Sequence, residues 1–405
     1  MATANTVATL NGLFKEVYAD KIKDLIPDGV KLMNRIPFSS KEQQLGNLYH
    51  QPVILGQEHG VTFSSAGGEA FNLNAPVSGV MKDAQVRGSE LVLRSVLSYG
   101  AASRSTNSKA SFKDATKYLV QNMLRSVAKK LEIELLYGQV GYATVASVTL
   151  NTYFITTAEW APGIWAGSES MPIEIRDTTG AISRGQSQIL SVDFVAQSIT
   201  LQSNIAGVVS GDVIWMKGAY GNEFAGIHKI ITNNSVLFNI DASLYNLWKG
   251  NQYSAAAASL SFNKVQDAIA KAVEKGLDSD VCIFVNPNTW SNLLTEQAAL
   301  RRYDSSYSSS DAENGAKEIS FHAQNGKVEI IPSIYVKQGY SYLLAMDDFA
   351  RIGSTDVTFN RPGKGDEFFR ELENSAGFEL RAYCDMALFC QRPGVQVLVT
   401  NIVNS

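Results

Sequence analysis

The sequence predicts an α+β fold organised around one long helix laid across sheet. Three observations predict it. Residues 111–138, SFKDATKYLVQNMLRSVAKKLEIELLYG, carry the longest helical periodicity of the 405-residue chain. Sequence of β type lies on both sides of that stretch. Farther on, residues 261–347 run helix, strand, helix, polar loop, strand, strand, the order of an α+β domain with a central sheet.

The long helix rests on spacing. Phe112, Ala115, Leu119, Met123, Val127, Leu131 and Leu135 recur every three or four residues and share one face. Lys113, Lys117, Asn122, Lys129 and Lys130 occupy the other side. Ser111 and Asp114 fit a capping-box start, and Gly138 stands just past the last periodic residue, where a helix stops. At the standard rise such a helix is about 40 Å long.

Composition narrows the class. The chain is 45% hydrophobic and 18% charged, as a globular protein is, and is long enough for two or three cores. A net charge of −4 gives no basic field of the kind nucleic acid binding needs. Cys282, Cys384 and Cys390 form no CxxC pair and no disulfide framework, which fits a reducing compartment. The first residues lack the charged and apolar regions of a signal peptide. No window approaches the roughly 18 apolar residues of a membrane span. A soluble chain, made and used in a cytosol, is expected.

In chain order, residues 2–40 read as an arm with a short amphipathic patch (Leu13, Phe14, Val17, Tyr18, Ile22) interrupted by Pro27, Gly29 and Pro37. So few apolar anchors cannot fold alone, so the arm is expected to dock elsewhere. From Gly46 to Ser105 the pattern is strand and turn. Gly56, Gly60, Gly67, Gly68, Pro76 and Gly79 punctuate its first half. The second half, GSELVLRSVLSYGAASRS, alternates: Leu91, Leu93, Leu97 and Tyr99 face one way, Val92, Arg94, Val96 and Ser98 the other. The two halves are expected to form one long two-stranded excursion, which needs a partner surface because an isolated hairpin is marginal in water.

After the long helix, residues 139–250 hold short strand candidates (SQILSVDFV, QSITLQS, DVIWMKG, NSVLFNID) separated by turns, the pattern of an inserted β-barrel or β-sandwich. Helical pattern resumes at SFNKVQDAIAKAVEKG, with Phe262, Val265, Ile269, Ala272 and Val273 on one face and Gly276 at the end. The strand VCIFVN leads to a helix opened by Pro287-Asn288, with Trp290, Leu293 and Leu294 inward. A polar loop, SSYSSSDAENG, precedes the strands KVEIIPSIYV and YSYLLAMD. The final segments, GFELRAYCDMALFCQRP and VQVLVTNIVNS, are expected to pair and to lie along the long helix.

Chemical motifs are scarce. His50, His59, His228 and His322 include no HExxH pair. Glu58-His59 is adjacent but lies in a turn-rich arm without a third ligand. No GxSxG elbow occurs. Arg361-Pro-Gly-Lys-Gly-Asp lacks the frame of a P-loop and reads as a basic turn. Asp347-Asp348 are neighbours whose side chains diverge, so they read as a turn with a cap rather than a shared acid–base site. Asn233-Asn234-Ser235 matches a glycosylation acceptor, without meaning in a cytosolic chain. Trp160, Trp165, Trp215, Trp248 and Trp290 could line a sugar platform, but core packing is the commoner use of such residues. No catalytic, cofactor-binding or metal-ligating residue is singled out, and an enzyme is not expected.

The ordered set of segments resembles the major capsid proteins of tailed bacteriophages, the Hong Kong 97-type capsid fold. The resemblance is carried by VTFSSAGG through GSELVLRSVLSYGAASRS, by the helix SFKDATKYLVQNMLRSVAKKLEIELLYG, by VCIFVNPNTWSNLL and GKVEIIPSIYVKQGYSYLLAMDDFARIGS, and by RAYCDMALFCQRPGVQVLVTNIV. It implies an N-terminal arm (1–45), an extended loop (46–105), a peripheral domain with its spine helix (106–138 and 340–405) and an axial domain (251–339). The block 139–250 departs from the minimal family fold and resembles the insertion domains of some members. The resemblance further implies homo-oligomers, as hexamers and pentamers, closing an icosahedral shell around double-stranded DNA held without sequence-specific binding. Scaffolding protein, portal and decoration or cement proteins are the implied partners, and the virion, assembled in the host bacterial cytoplasm, is the implied location. Because the arm starts at Met1, a separate scaffolding protein, or none, is expected. The polar loop near Ser305 to Asn314 is expected near a symmetry axis. Two alternatives stay open: an encapsulin-like compartment of the same fold, and a carbohydrate-binding or sugar-processing β protein built on the Trp-rich insert.

Overall fold

The structure, a computed structural model, describes residues 29–39, 44–45, 48–65, 70–98, 115–301, 319–324, 326–360, 369–373 and 376–404. The proposed cap at Ser111 and Asp114, the basic turn 361–366, the loop 305–315 and the amphipathic patch 13–22 lie outside these residues.

Strands β1 (Gln44–Leu45), β2 (Leu48–Gly56) and β3 (Val80–Arg87) form one antiparallel sheet. Strand β4 (Ser89–Ser98) does not join it. The expected pairing of the first half of the excursion with GSELVLRSVLS is therefore corrected. β2 pairs with β3, and the chain turns at Gly88 into a second sheet, where β4 pairs along its whole length with the C-terminal region. The alternation in β4 is as read: Leu91, Leu93 and Leu97 are half-buried, and Val92, Arg94, Val96 and Ser98 exposed. Alternation tells which face a strand buries but not which strand it meets.

Helix α1 (Ala115–Tyr137) has 23 described residues, about 35 Å at the helical rise. Met123, Val127, Leu131 and Leu135 are buried on the expected face. Its last two turns are different: Leu131 through Gly138 are buried on every side. The polar face assigned to Lys129 and Lys130 is corrected accordingly. Lys129 donates to the carbonyl of Ala166, and Lys130 reaches the Met171 sulfur at 2.9 Å. Both partners belong to the inserted block, which covers a surface that periodicity alone assigns to solvent. Gly138, just past the last helical residue, is a glycine because of crowding. A Cβ there would lie 2.2 Å from the Phe224 carbonyl oxygen, and the left-handed residue is the next one, Gln139 (φ 64).

The inserted block contains a closed barrel in the order β10-β5-β6-β9-β8-β7. Its strands are β5 (Ala143–Thr149), β6 (Thr152–Ile155), β7 (Pro172–Arg176), β8 (Ser183–Asp193), β9 (Ser198–Leu201) and β10 (Val213–Met216). Alternate residues such as Val145, Tyr153, Ile173, Ile175, Ile199 and Ile214 fill it. A short helix, α2 (Pro162–Trp165), caps the β6–β7 connection. Residues after β10 leave the barrel through α3 (Ile227–Thr232) and a tight hairpin, β11 (Val236–Leu237) and β12 (Ile240–Asp241). Both residues at the hairpin turn, Phe238 (φ 53) and Asn239 (φ 63), are left-handed, as a type I′ turn requires.

A six-stranded sheet follows, in the order β13-β21-β17-β14-β16-β15. It comprises β13 (Asn251–Ala258), β14 (Val281–Val285), β15 (Ile319–Ala323), β16 (Gly326–Pro332), β17 (Ser341–Leu344) and β21 (Val397–Ile402). Helices α4 (Phe262–Val273) and α5 (Pro287–Arg301) pack on one face. Ser261 caps α4 by accepting from the Lys264 N–H, and Gly276 (φ +93) ends it. Residues along β14 divide between two cores. Ile283 and Val285 pack with the helices, whereas Phe284 joins the larger core of α1 and the barrel. A strand buried on both faces reads as one apolar run, as VCIFV does.

The third sheet centres on β20 (Gly377–Cys390), with β18 (Phe349–Thr358) and β19 (Phe369–Glu371) on one edge and β4 on the other. The expected pairing of the two C-terminal segments does not form: β20 lies in this sheet under α1, and β21 lies between β13 and β17. β17 joins the six-stranded sheet, as the helix–strand order of 261–347 predicts, and β21, expected along the helix, ladders beside it.

Candidate assembly surface

The surface that stands out is the limb formed by β2, β3 and the residues between them. Its inner face at the root is core: Tyr49, Ala84 and Val86 are buried. Its outer face carries Ile54 directly opposite Met81, exposed 70% and 64%. Beyond the strands the two chains stay together. The His59 N–H donates to the Val77 carbonyl at 3.1 Å, and the Asn74 N–H donates to the Thr62 hydroxyl at 2.8 Å. This tip presents Phe63 at 90% and Leu73 at 80% exposure, with Val61, Phe71 and Val77 also exposed. Contiguous apolar area of this kind marks an interaction surface.

The limb's edges are blocked. On β3, the Gln85 N–H donates to the Phe238 carbonyl at the β11–β12 turn, and the Asn239 amide reaches the Asp83 carbonyl. Since the Gln85 N–H points away from β2, the pair His50–Gln85 is a non-hydrogen-bonded one, and so, two residues on, is Pro52–Asp83. Pro52 therefore loses no ladder bond and removes a donor from the outer edge of β2, a guard against indiscriminate strand addition. Contact with another molecule falls to the faces and the tip.

The root of the limb is clamped to the inserted block. The Ser89 hydroxyl donates to the Asn222 carbonyl at 2.5 Å, across a polar cleft of about 740 Å³ that also borders Glu90, Glu223 and Asp385. Beneath it, the end of α1 and residues 222–226 are tied reciprocally. The Phe224 N–H donates to Glu134, and the Gln139 N–H donates to Glu223. Burial, aided by the neighbouring Glu223 charge, pushes Glu134 up to about 8. Burial also pushes Glu223 up to about 7. Burial brings Lys130, one turn earlier on the helix, down to about 8.

Two more buried polar groups hold the parts in register. Glu132 is fully buried and accepts the N–H groups of Lys31, Leu32 and Met33 at 3.0, 2.8 and 2.8 Å. Arg351 donates to the Ile36 carbonyl, and its backbone bonds Pro37 and Ser39. The expectation that the arm docks elsewhere is corrected for 29–39: this stretch is fastened to its own subunit. The second group is Lys337, 1% exposed at its side chain, which pairs with Glu159 at 2.5 Å beside the Tyr137 ring. Burial alone would raise Glu159, but the Lys337 ammonium and the Tyr340 hydroxyl hold it below the usual range. His228 nearby bonds the Tyr342 hydroxyl at 2.9 Å, and burial lowers it to about 4, so it is neutral. This junction joins barrel, helix and six-stranded sheet. Sequence spacing gave no signal for it, because its members come from five separate stretches: α1, the β6–β7 connection, α3, the β16–β17 connection and β17.

The sequence candidates for chemistry disperse. Glu58 and His59 are exposed on the tip. Asp347 is exposed, whereas Asp348 is buried and accepts from Arg392 and Gln396. Asn233 is buried and bonds the Ser235 carbonyl. Trp160, Trp165, Trp215 and Trp248 are buried, and Trp160 and Trp165 stack at 6.2 Å, so these four offer no exposed platform to a sugar. Among the described residues no His, Cys, Asp or Glu cluster could hold a metal, and no helix is long and apolar enough to cross a membrane.

No family model matches this sequence, and no curated protein matches it. Solved structures match over nearly the whole chain. The cyanophage A-1(L) capsid asymmetric unit aligns with a TM-score of 0.59 at 11% identity, covering 98% of this chain and 99% of that one. The fold is a phage capsid fold. The capsid of a native GTA particle aligns at 0.51 and 9% identity, covering 99% of this chain and 100% of that chain. The capsid of cyanophage P-SCSP1u aligns at 0.50 and 10%, covering 100% and 96%. The mixed α+β composition agrees with that capsid fold. At such low identity the resemblance lives in element order and sheet topology rather than in any residue motif.

Proposed function

We propose that the chain is the major capsid protein of a tailed phage, of the Hong Kong 97 type. Copies close through hexamers and pentamers into an icosahedral shell around double-stranded DNA. The observation that carries this reading is the limb, whose apolar tip and outer face find no cover among the described residues while the surrounding fold is that of capsid structures. Apolar area of this kind is stabilised when copies bury it, and obligate interfaces of that type exceed about 2,000 Å².

In this reading 1–45 is the arm, with 29–39 its fastened root, and 46–105 the extended loop. The peripheral domain is α1 with the β4–β18–β19–β20 sheet, within 106–138 and 340–405. The axial domain, 251–339, shares its sheet with β17 and β21. The barrel within 139–250 is the inserted domain. A scaffolding protein, a portal and decoration proteins are the expected partners. The shell itself is a structural protein, with no reaction to perform. Its net charge of −4 suits a wall that must not grip its contents, because each phosphate contact adds salt-dependent affinity.

Expression of the full chain, alone and with a co-expressed scaffold, followed by negative-stain imaging, tests the proposal. Closed particles of uniform size are expected. A monomer that persists at high concentration in both preparations overturns it. Particles filled with a protein cargo instead of DNA in the native host would favour the compartment alternative.

A further inference from the structure

We propose that the outer edge of β4 is a twofold contact, pairing antiparallel with β4 of a second copy and joining two sheets into one. The inference rests on the shell reading and supplies a contact between rings that this reading leaves unspecified. Among the described residues β4 ladders only with β20, along one edge, so its other edge meets no strand. A long unpaired strand edge is a template for pairing. Packing shows the same gap. Leu380, Ala382, Cys384 and Met386, which face the core from β20, are at most 3% exposed, whereas Leu91, Leu93 and Leu97 of β4 are only half-buried. A further strand beside β4 would cover them.

Charge identifies the occupant. The register of β4 on β20 places Glu90 opposite Asp385 and Arg94 opposite Arg381, two like-charged pairs on the outer face. Like charges directly opposite one another are destabilising. Glu379, which pairs with both Arg94 and Arg381, offsets part of the second, and Glu90 has no ion pair among the described residues. An antiparallel second β4 centred on Val92 sets Glu90 of each copy against Arg94 of the other. It also sets Val92 against Val92 on the outer face and Leu91 against Leu93 on the core side. Of the antiparallel registers that keep core side with core side, this one alone pairs the opposite charges directly; centring on Glu90 or on Arg94 stacks like charges. The contact is self-complementary, as a twofold interface must be. One strand pair is a small interface of the weak class, and repetition over a closed shell multiplies it.

The test uses Val92→Cys in the full chain, assembled into particles and mildly oxidised. Expected is a dimer on a non-reducing gel, without higher multiples, that collapses on reduction. Val96→Cys is similarly exposed, but its two copies stand about 27 Å apart in this register, so it should stay monomeric, as should the wild type. Glu90→Arg and Arg94→Glu, expressed singly, are each expected to lower particle yield at least tenfold, because each sets like charges across the contact. Co-expressed, the two variants should assemble, since every mixed contact then matches positive to negative at both ends; a defect confined to one subunit would gain nothing from the other. Val92→Cys particles that stay monomeric on oxidation overturn the contact and leave the shell reading intact, whether residues 99–114 of the same chain or another protein cover the edge instead. Should Val92→Cys not assemble, failure of the co-expressed pair to recover particles overturns it. A wild-type chain that forms no particles defeats both proposals together.

Discussion

Replacing Glu132 by alanine should release residues 31–33 from the spine helix without unfolding the rest of the protein. The carboxylate accepts three backbone N–H groups between 2.8 and 3.0 Å and is fully buried. Hydrogen bonds to a charged group are worth roughly 1.5–3 kcal/mol each, and an N–H left buried without a partner costs about 1–3 kcal/mol. Burial of the carboxylate works against the sum, since it raises the group toward its neutral form. A local loss of about 3 kcal/mol is expected, near the low end for breaking a buried ionic contact. At 1.4 kcal/mol per tenfold, that speeds amide exchange at Leu32 and Met33 by about 100-fold. Hydrogen exchange with residue resolution reads it, with Ile173 and Ile214 in the barrel as unchanged controls. Glu132→Gln sharpens the test. One oxygen serves Lys31 and Leu32, and the other serves Met33, so the amide that keeps more bonds loses protection at Met33 first. Exchange at Leu32 and Met33 altered by less than threefold in the alanine variant would refute the reasoning.

Three further outcomes follow from the buried groups. Glu134 and Glu223 titrate at about 8 and about 7 in the folded chain against an ordinary value of 4.5, so the folded state holds protons that the unfolded state has released. Their stabilising contribution is complete below pH 4.5 and is lost as pH rises through 7 and 8; thermal melts should show Tm falling over that window, with a shallower fall in Glu134→Gln. Gly138→Ala places a methyl group against the Phe224 and Glu134 carbonyls, at 2.2 and 2.8 Å before relaxation; a loss of about 1–3 kcal/mol in denaturant unfolding is expected. Lys337→Met strands the Glu159 carboxylate at the junction and should cost about 3 kcal/mol by the same measurement, whereas Lys337→Met with Glu159→Gln should recover much of it.

Several elements could be read without coordinates because their cause is local. The spine helix, the alternation of β4, the apolar face of α4 and its Gly276 stop each depend on residues within a turn or two of one another. The candidate surface was legible in outline for the same reason: a glycine-punctuated excursion of strand pattern that needs a partner surface, because an isolated hairpin is marginal in water. Its clamp was not. The hairpin at 236–241 and the carbonyl of Asn222 meet the limb root only after the whole inserted block has folded between them.

The sequence by itself determined the elements and the faces they bury, since backbone geometry repeats every two or 3.6 residues and apolar side chains follow that repeat. Only the tertiary structure decided which strands pair, because β4 and β20 come from opposite parts of the chain and many apolar strands would satisfy the same alternation. It also decided the fate of charges on the helix. Lys129, Lys130, Glu132 and Glu134 have the composition of a solvated face, yet they lie where barrel, arm root and sheet converge. Their burial is a consequence of what packs around them, which no periodicity within the helix encodes.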